Sequence, residues 1–84
     1  MKTEEHIRKI VLDLIAKIAP EADLAHLDPA ERFRNQFDFD SVDFVNFAAG
    51  LQQELRVRIP EEDFPRLSTL ESCVTYLKSL MAPA

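Results

Sequence analysis

Eighty-four residues, 46% of them apolar, with a formal net charge of −5, make one small domain spanning residues 1–84 around a single core. Fifteen acidic residues against ten basic ones, with no basic stripe, argue against nucleic acid or an anionic membrane surface as a partner. No apolar run reaches transmembrane length, the start Met1-Lys2-Thr3-Glu4-Glu5 lacks the apolar core of a signal peptide, and one cysteine excludes an internal disulfide, so the expectation is a soluble cytoplasmic protein without membrane insertion.

The first helix is predicted over about residues 4–18, with Thr3 as its cap and Glu4 and Glu5 in the first turn, where the helix dipole favours acids. Ile7, Ile10, Val11, Leu14, Ile15 and Ile18 recur at helical spacing, and Pro20 ends the run. Residues 20–40 follow no period. Asp28-Pro29-Ala30-Glu31 is suited to one short turn, and Leu24, Leu27, Phe33 and Phe37 are expected to anchor this long loop to the core.

The second helix is predicted over about 41–55. On a helical wheel Phe44, Phe47, Ala48, Leu51 and Leu55 face inward. Val42, Val45, Asn46, Ala49 and Gln53 make an outer face without charge, with Asp43 and Glu54 on one flank. Arg56-Val57-Arg58-Ile59-Pro60 breaks the helix, with Val57 and Ile59 turned inward, and Glu61-Glu62-Asp63-Phe64 is expected to form a short third helix anchored by Phe64. Ser68 and Glu71 have the spacing of a capping box for a last helix over about 69–81, on which Leu70, Cys73, Val74, Leu77 and Met81 make the apolar stripe and which Pro83 ends. The fold class is therefore all-α: a small four-helix bundle of three main helices and one short one, with a long loop between the first and second.

The chemistry centres on Phe37-Asp38-Phe39-Asp40-Ser41-Val42-Asp43. A serine where a loop becomes a helix lies beside unpaired backbone N–H groups and the positive end of the dipole, a place suited either to a phosphate-linked group or to an ordinary helix cap. Asp40 and Asp43 double as first-turn acids that suit the dipole. No Gly-x-Ser-x-Gly elbow accompanies the serine, which argues against a serine hydrolase, and a single glycine excludes a glycine-rich phosphate loop. His6 and His26 are isolated in sequence, no Cys/His cluster has metal-ligand spacing, and Cys73 on the apolar stripe reads as a buried thiol.

In this arrangement the chain resembles the acyl carrier proteins over essentially its whole length. Asp40-Ser41-Val42-Asp43 is similar to that family's Asp-Ser-Leu signature, Phe33 stands where the family has an aromatic anchor, and Ile59-Pro60-Glu61-Glu62 resembles its segment before a short third helix. The resemblance implies that Ser41 is joined by a phosphodiester to 4′-phosphopantetheine, donated by coenzyme A through a phosphopantetheinyl transferase. It implies that Asp40 matches the position that helps hold the transferase's metal ion. It also implies a monomeric, non-catalytic carrier of thioesters, with acyl- or aminoacyl-loading and transfer enzymes docking on the second helix. The proposed docking residues are Val42, Asp43, Val45, Asn46, Ala49 and Gln53. A carrier-like interaction module without a prosthetic group is the alternative.

The chain departs from the family at several positions. Asp38 stands where glycine is common, Phe37 where leucine is usual, and Asn35 and Gln36 where acids are common. The uncharged outer face of the second helix predicts docking by apolar contact and a specialised lipid, polyketide or secondary-metabolite pathway. The bulk of Phe44 predicts short or polar cargo, or cargo left outside the bundle. Met1 and the Ala82-Pro83-Ala84 end favour a free-standing chain.

Overall fold

The computed structural model describes residues 4–81. The Thr3 cap and the end at residues 82–84 lie outside them. Three α-helices carry the fold: α1 (Glu4–Ile18), α2 (Ser41–Leu55) and α3 (Leu70–Met81). A 3-10 helix, Glu61–Leu67, is the short fourth member, and the long loop holds two more 3-10 turns, Leu24–His26 and Phe33–Asn35. No strand occurs among the described residues; Arg32 and Thr69 form a lone antiparallel bridge.

The apolar stripes meet as the periodicity predicts. Ile7, Val11 and Ile15 of α1, Phe47, Ala48, Leu51 and Leu55 of α2, and Leu70, Cys73, Val74 and Leu77 of α3 are buried in one core. Gly50 lets α1 approach α2 closely: a Cβ there would lie 2.9 Å from Leu14 Cδ2. Leu14 would have to give way to any side chain at that position. Helix α2 ends on Arg56, whose φ of 54° is left-handed and whose N–H donates to Gln52 O. Among the described residues it alone has a positive φ outside glycine, so Asp38 does not need the left-handed freedom of a glycine. The Gln52 side chain then accepts the Ile59 N–H at 3.1 Å, steering Ile59 into the core.

Two local expectations change. The short helix is longer than the four residues predicted and is 3-10 throughout, with Pro65 inside it; proline lacks the N–H that a continuing α-helix needs there. The cap of α3 is Thr69, whose Oγ1 accepts the Ser72 N–H at 3.0 Å, while the Ser68 hydroxyl donates to Pro65 O. Glu71 gives its backbone N–H to Pro29 O at 2.9 Å. The box expected between Ser68 and Glu71 does not form: Thr69 caps alone, the Ser72 hydroxyl donates to Arg66 O, and the preceding 3-10 helix claims Ser68.

Tyr76, absent from the predicted stripe, is buried and donates its hydroxyl to Asp63 at 2.7 Å. Burial, reinforced by that hydrogen bond to a carboxylate, pushes its phenol up to about 12, and burial pushes the Cys73 thiol up to about 12. Both groups stay neutral in the fold while the unfolded chain ionises them from their ordinary values of 9.0 and 10.0. Their contribution is complete below the lower value and is lost as pH rises toward the folded ones. Urea midpoints measured across this alkaline window should fall with pH, and Tyr76→Phe should flatten the decline above pH 10; an unchanged slope in the variant would remove Tyr76 from the account.

Candidate functional site: a capped serine beside an aromatic cavity

The site begins with six rings. Phe33, Phe37, Phe39, Phe44, Phe47 and Phe64, every phenylalanine of the chain, join one network. Phe33 lies edge-on to Phe47 at 5.8 Å and to Phe39 at 5.9 Å, and Phe39 to Phe47 at 5.7 Å. Such edge-to-face pairs contribute roughly 0.5–1.5 kcal/mol each beyond the area they bury. They fasten the end of the long loop to α2 immediately before and after Ser41. Phe33 and Phe37 anchor the loop as the sequence predicts.

Backbone and side-chain amides complete the hold on the loop. Phe33 N–H donates to Ser68 O at 2.9 Å, tying the loop to the residues before α3. The Gln36 amide accepts the Asp28 N–H at 2.8 Å and donates to Asp28 O and Glu31 O. A carboxylate at position 36 has no hydrogens to donate to those carbonyls. Asn35 Nδ2 donates to Glu31 Oε1, which holds the Glu31 carboxyl below its ordinary value. Asn35 and Gln36, departures from the family pattern in sequence, therefore have a local structural cause. Asp28 makes the predicted turn, its Oδ1 accepting the Ala30 N–H. His26 is not isolated: its Nδ1 lies 2.8 Å from Asp23 Oδ2, an interaction that lowers the Asp23 carboxyl.

Helix α2 starts on a reciprocal cap. Asp40 has an extended backbone, its Oδ1 accepts the Asp43 N–H at 2.8 Å, and Asp43 Oδ2 accepts the Asp40 N–H at 3.3 Å. The cap is thus Asp40, and Ser41 is the first helical residue. Ser41 is exposed, and no side chain among the described residues holds its hydroxyl. Capping therefore does not account for the serine, whereas it does account for both aspartates. Among the described residues no group of three or more His, Cys, Asp or Glu is arranged to hold a metal ion.

Beside Ser41 opens a cavity of about 440 Å³. Phe33, Phe39, Phe44 and Val45 form its apolar wall, and Arg34, Asp40, Ser41 and Ser68 its polar part. The sequence does not point to Arg34 or Ser68 as site residues; Ser68 is expected there only as a helix cap. Both sit in irregular segments without periodicity, and only the loop's attachment to Ser68 brings them to the serine. Further along α2, Val42, Val45, Asn46, Ala49 and Gln53 are all exposed on one face, Val42 by 65% and Val45 by 55%, with Asp43 half-buried beside them.

An exposed hydroxyl at the positive end of a helix, with room beside it and a cation at the rim, fits a phosphate-linked prosthetic group. The comparisons agree. A family profile described as a phosphopantetheine attachment site matches residues 9–77. The acyl carrier protein of Lactobacillus acidophilus is 34% identical over 77 residues, 92% of this chain and 95% of its own. Those of Lactobacillus johnsonii and Chlorobium phaeobacteroides are each 32% identical, over 92% and 89% of this chain and 95% of their own.

The cap has a measurable role of its own. Asp40→Ala should lower unfolding stability by about 1 kcal/mol in urea titrations, while Asp40→Ser, which caps as well, should stay close to the parent. Equal losses in the two variants would contradict a capping role.

Proposed function

The chain belongs to the acyl carrier protein family and carries 4′-phosphopantetheine, and from that membership we propose that Ser41 is the attachment point, that Asp40 serves its recognition by the phosphopantetheinyl transferase, and that the exposed face of α2 receives the partner enzymes. The observation that carries the reading is the unengaged, exposed Ser41 hydroxyl at the first position of a helix capped by its neighbour. In the attachment step the Ser41 Oγ–phosphorus bond forms, the pyrophosphate bond of coenzyme A breaks, the nucleotide half leaves, and the hydroxyl proton passes to a base. The bound group supplies a terminal thiol that holds an acyl group as a thioester. The chain's own residues present that group and catalyse nothing themselves. Asp40 has a second lone-pair-bearing oxygen besides the one engaged by Asp43 N–H, available to a metal ion brought by the transferase.

Partner docking rests on α2. Val42, Val45 and Ala49, with uncharged Asn46 and Gln53, offer an apolar strip next to Ser41, and Asp43 adds a charge only at its edge. Apolar contact of this kind depends weakly on ionic strength. It favours partners of a specialised lipid, polyketide or secondary-metabolite pathway. Phe44 is half-buried and backed by Phe64 at 6.1 Å, so two rings stand where a long acyl chain would enter the bundle. Cargo is accordingly short or polar, or stays outside the core. The carrier acts as a monomer, in the cytoplasm, as one domain.

Coexpression with a phosphopantetheinyl transferase should raise the intact mass by one phosphopantetheine, and Ser41→Ala should abolish the rise. An unchanged parent mass would favour an unmodified interaction module. Affinity for a cognate partner should change little as salt is raised, and Val45→Asp should weaken it; a steep loss with salt in the parent would overturn docking by apolar contact.

A further inference from the structure

The cavity beside Ser41 contains more than attachment requires. Resting on the reading that Ser41 bears the arm, we propose that this cavity is a docking subsite for the arm's first segment: the Arg34 guanidinium pairs with the phosphodiester, and the dimethyl-bearing carbon next to it packs on the Phe39 and Phe44 rings.

Charge is the first argument. Ser41 stands among Asp38, Asp40 and Asp43, and a phosphodiester there adds a further negative charge. The helix N-terminus offsets only part of this, and Asp40 and Asp43 already take two of its backbone N–H groups. Among the described residues lining the cavity, Arg34 is the one cation, and it forms no ion pair among the described residues. A planar guanidinium suits two oxygens of a phosphate better than any other side chain.

Position is the second argument. Arg34 sits on the 3-10 turn Phe33–Asn35, which is held from both sides. The Phe33 ring is buried, Phe33 N–H reaches Ser68 O at 2.9 Å, and Asn35 N–H reaches Arg32 O at 3.0 Å. The base of the side chain is therefore fixed at the cavity while its head has no partner among the described residues. The third argument is the wall. Phe39 and Phe44 meet edge to face at 6.0 Å and both line the cavity. Phe64 and Phe47 pack against Phe44, so the wall presents supported ring surface to something small and apolar. A volume of about 440 Å³ accommodates a segment of the arm and falls toward the small end of the roughly 300–1,000 Å³ typical of small-molecule sites. Because Ser41 itself lines the space, the tethered segment enters it at high effective concentration.

The test uses isotope-labelled protein carrying an unlabelled arm, with attachment first established by intact mass. Isotope-filtered NMR should show contacts from the arm's methyl protons to the ring protons of Phe39 and Phe44. The phosphorus resonance should differ from that of the arm on an unfolded peptide. Arg34→Gln, at an exposed loop position, should keep the fold and the mass increase while returning the phosphorus resonance toward the peptide value and weakening the methyl contacts several-fold. Modified protein without ring contacts, or with a phosphorus resonance unaffected by Arg34→Gln, overturns the subsite and leaves attachment at Ser41 standing. Failure of the mass increase itself would instead remove the reading on which the subsite rests.

Discussion

Edge-to-face packing of the phenylalanines against α2 is the constraint on which the site depends. A loop of about twenty residues has no ladder of backbone hydrogen bonds to hold it, so its position must come from buried side chains and a few local bonds. Phe33, Phe37 and Phe39 supply the burial from the loop, and Phe44 and Phe47 receive it on α2. Ser41 lies between the two sets. Its place is therefore determined by rings on both sides of it in the chain, and Ser41 itself is released from structural duty.

The cap divides the work among Asp40, Ser41 and Asp43. A serine preceding an apolar helix ordinarily satisfies the first free N–H groups with its own hydroxyl. Here Asp40 and Asp43 satisfy one another's backbone N–H reciprocally, and Ser41 is moved one residue inward, to the first helical position. The hydroxyl is left in solvent on a backbone that does not need it. A serine held this way could be modified without loosening the helix that presents it, which a capping serine could not.

Much of this was legible from residue order. The three α-helices follow from period-3.6 stripes, and Ile7, Val11, Ile15, Phe47, Leu51, Cys73 and Leu77 are buried as their spacing requires. Phe33 and Phe37 were recognisable as anchors because large rings in an irregular segment have few other uses. What escaped lies where geometry is decided by tertiary contact. Tyr76 sits beside the predicted stripe of α3, and only the 3-10 helix packed there, with Asp63 in reach of its hydroxyl, makes its burial favourable. Thr69 replaces Ser68 as a cap because Ser68 is drawn to Pro65 O. Arg34 comes to the serine through a backbone bond between Phe33 and Ser68, residues far apart in sequence.

On the proposed reading, the same aromatic packing also limits cargo. Rings at Phe39, Phe44 and Phe64 strengthen the hold on the loop, and on the proposed reading the same rings stand in the way of a long acyl chain. A small residue at position 44 would open space there and at the same time remove the ring that joins Phe39 to Phe64. Stability of the presenting loop and room for a long chain are thus opposed at one residue, and this sequence has taken the first. The uncharged strip of α2 is consistent with that choice. If partners dock on this strip as proposed, one that covers Val42 and Val45 also covers the mouth of the cavity, since Val45 belongs to both. Recognition of the carrier and shielding of what it carries then become a single apolar contact.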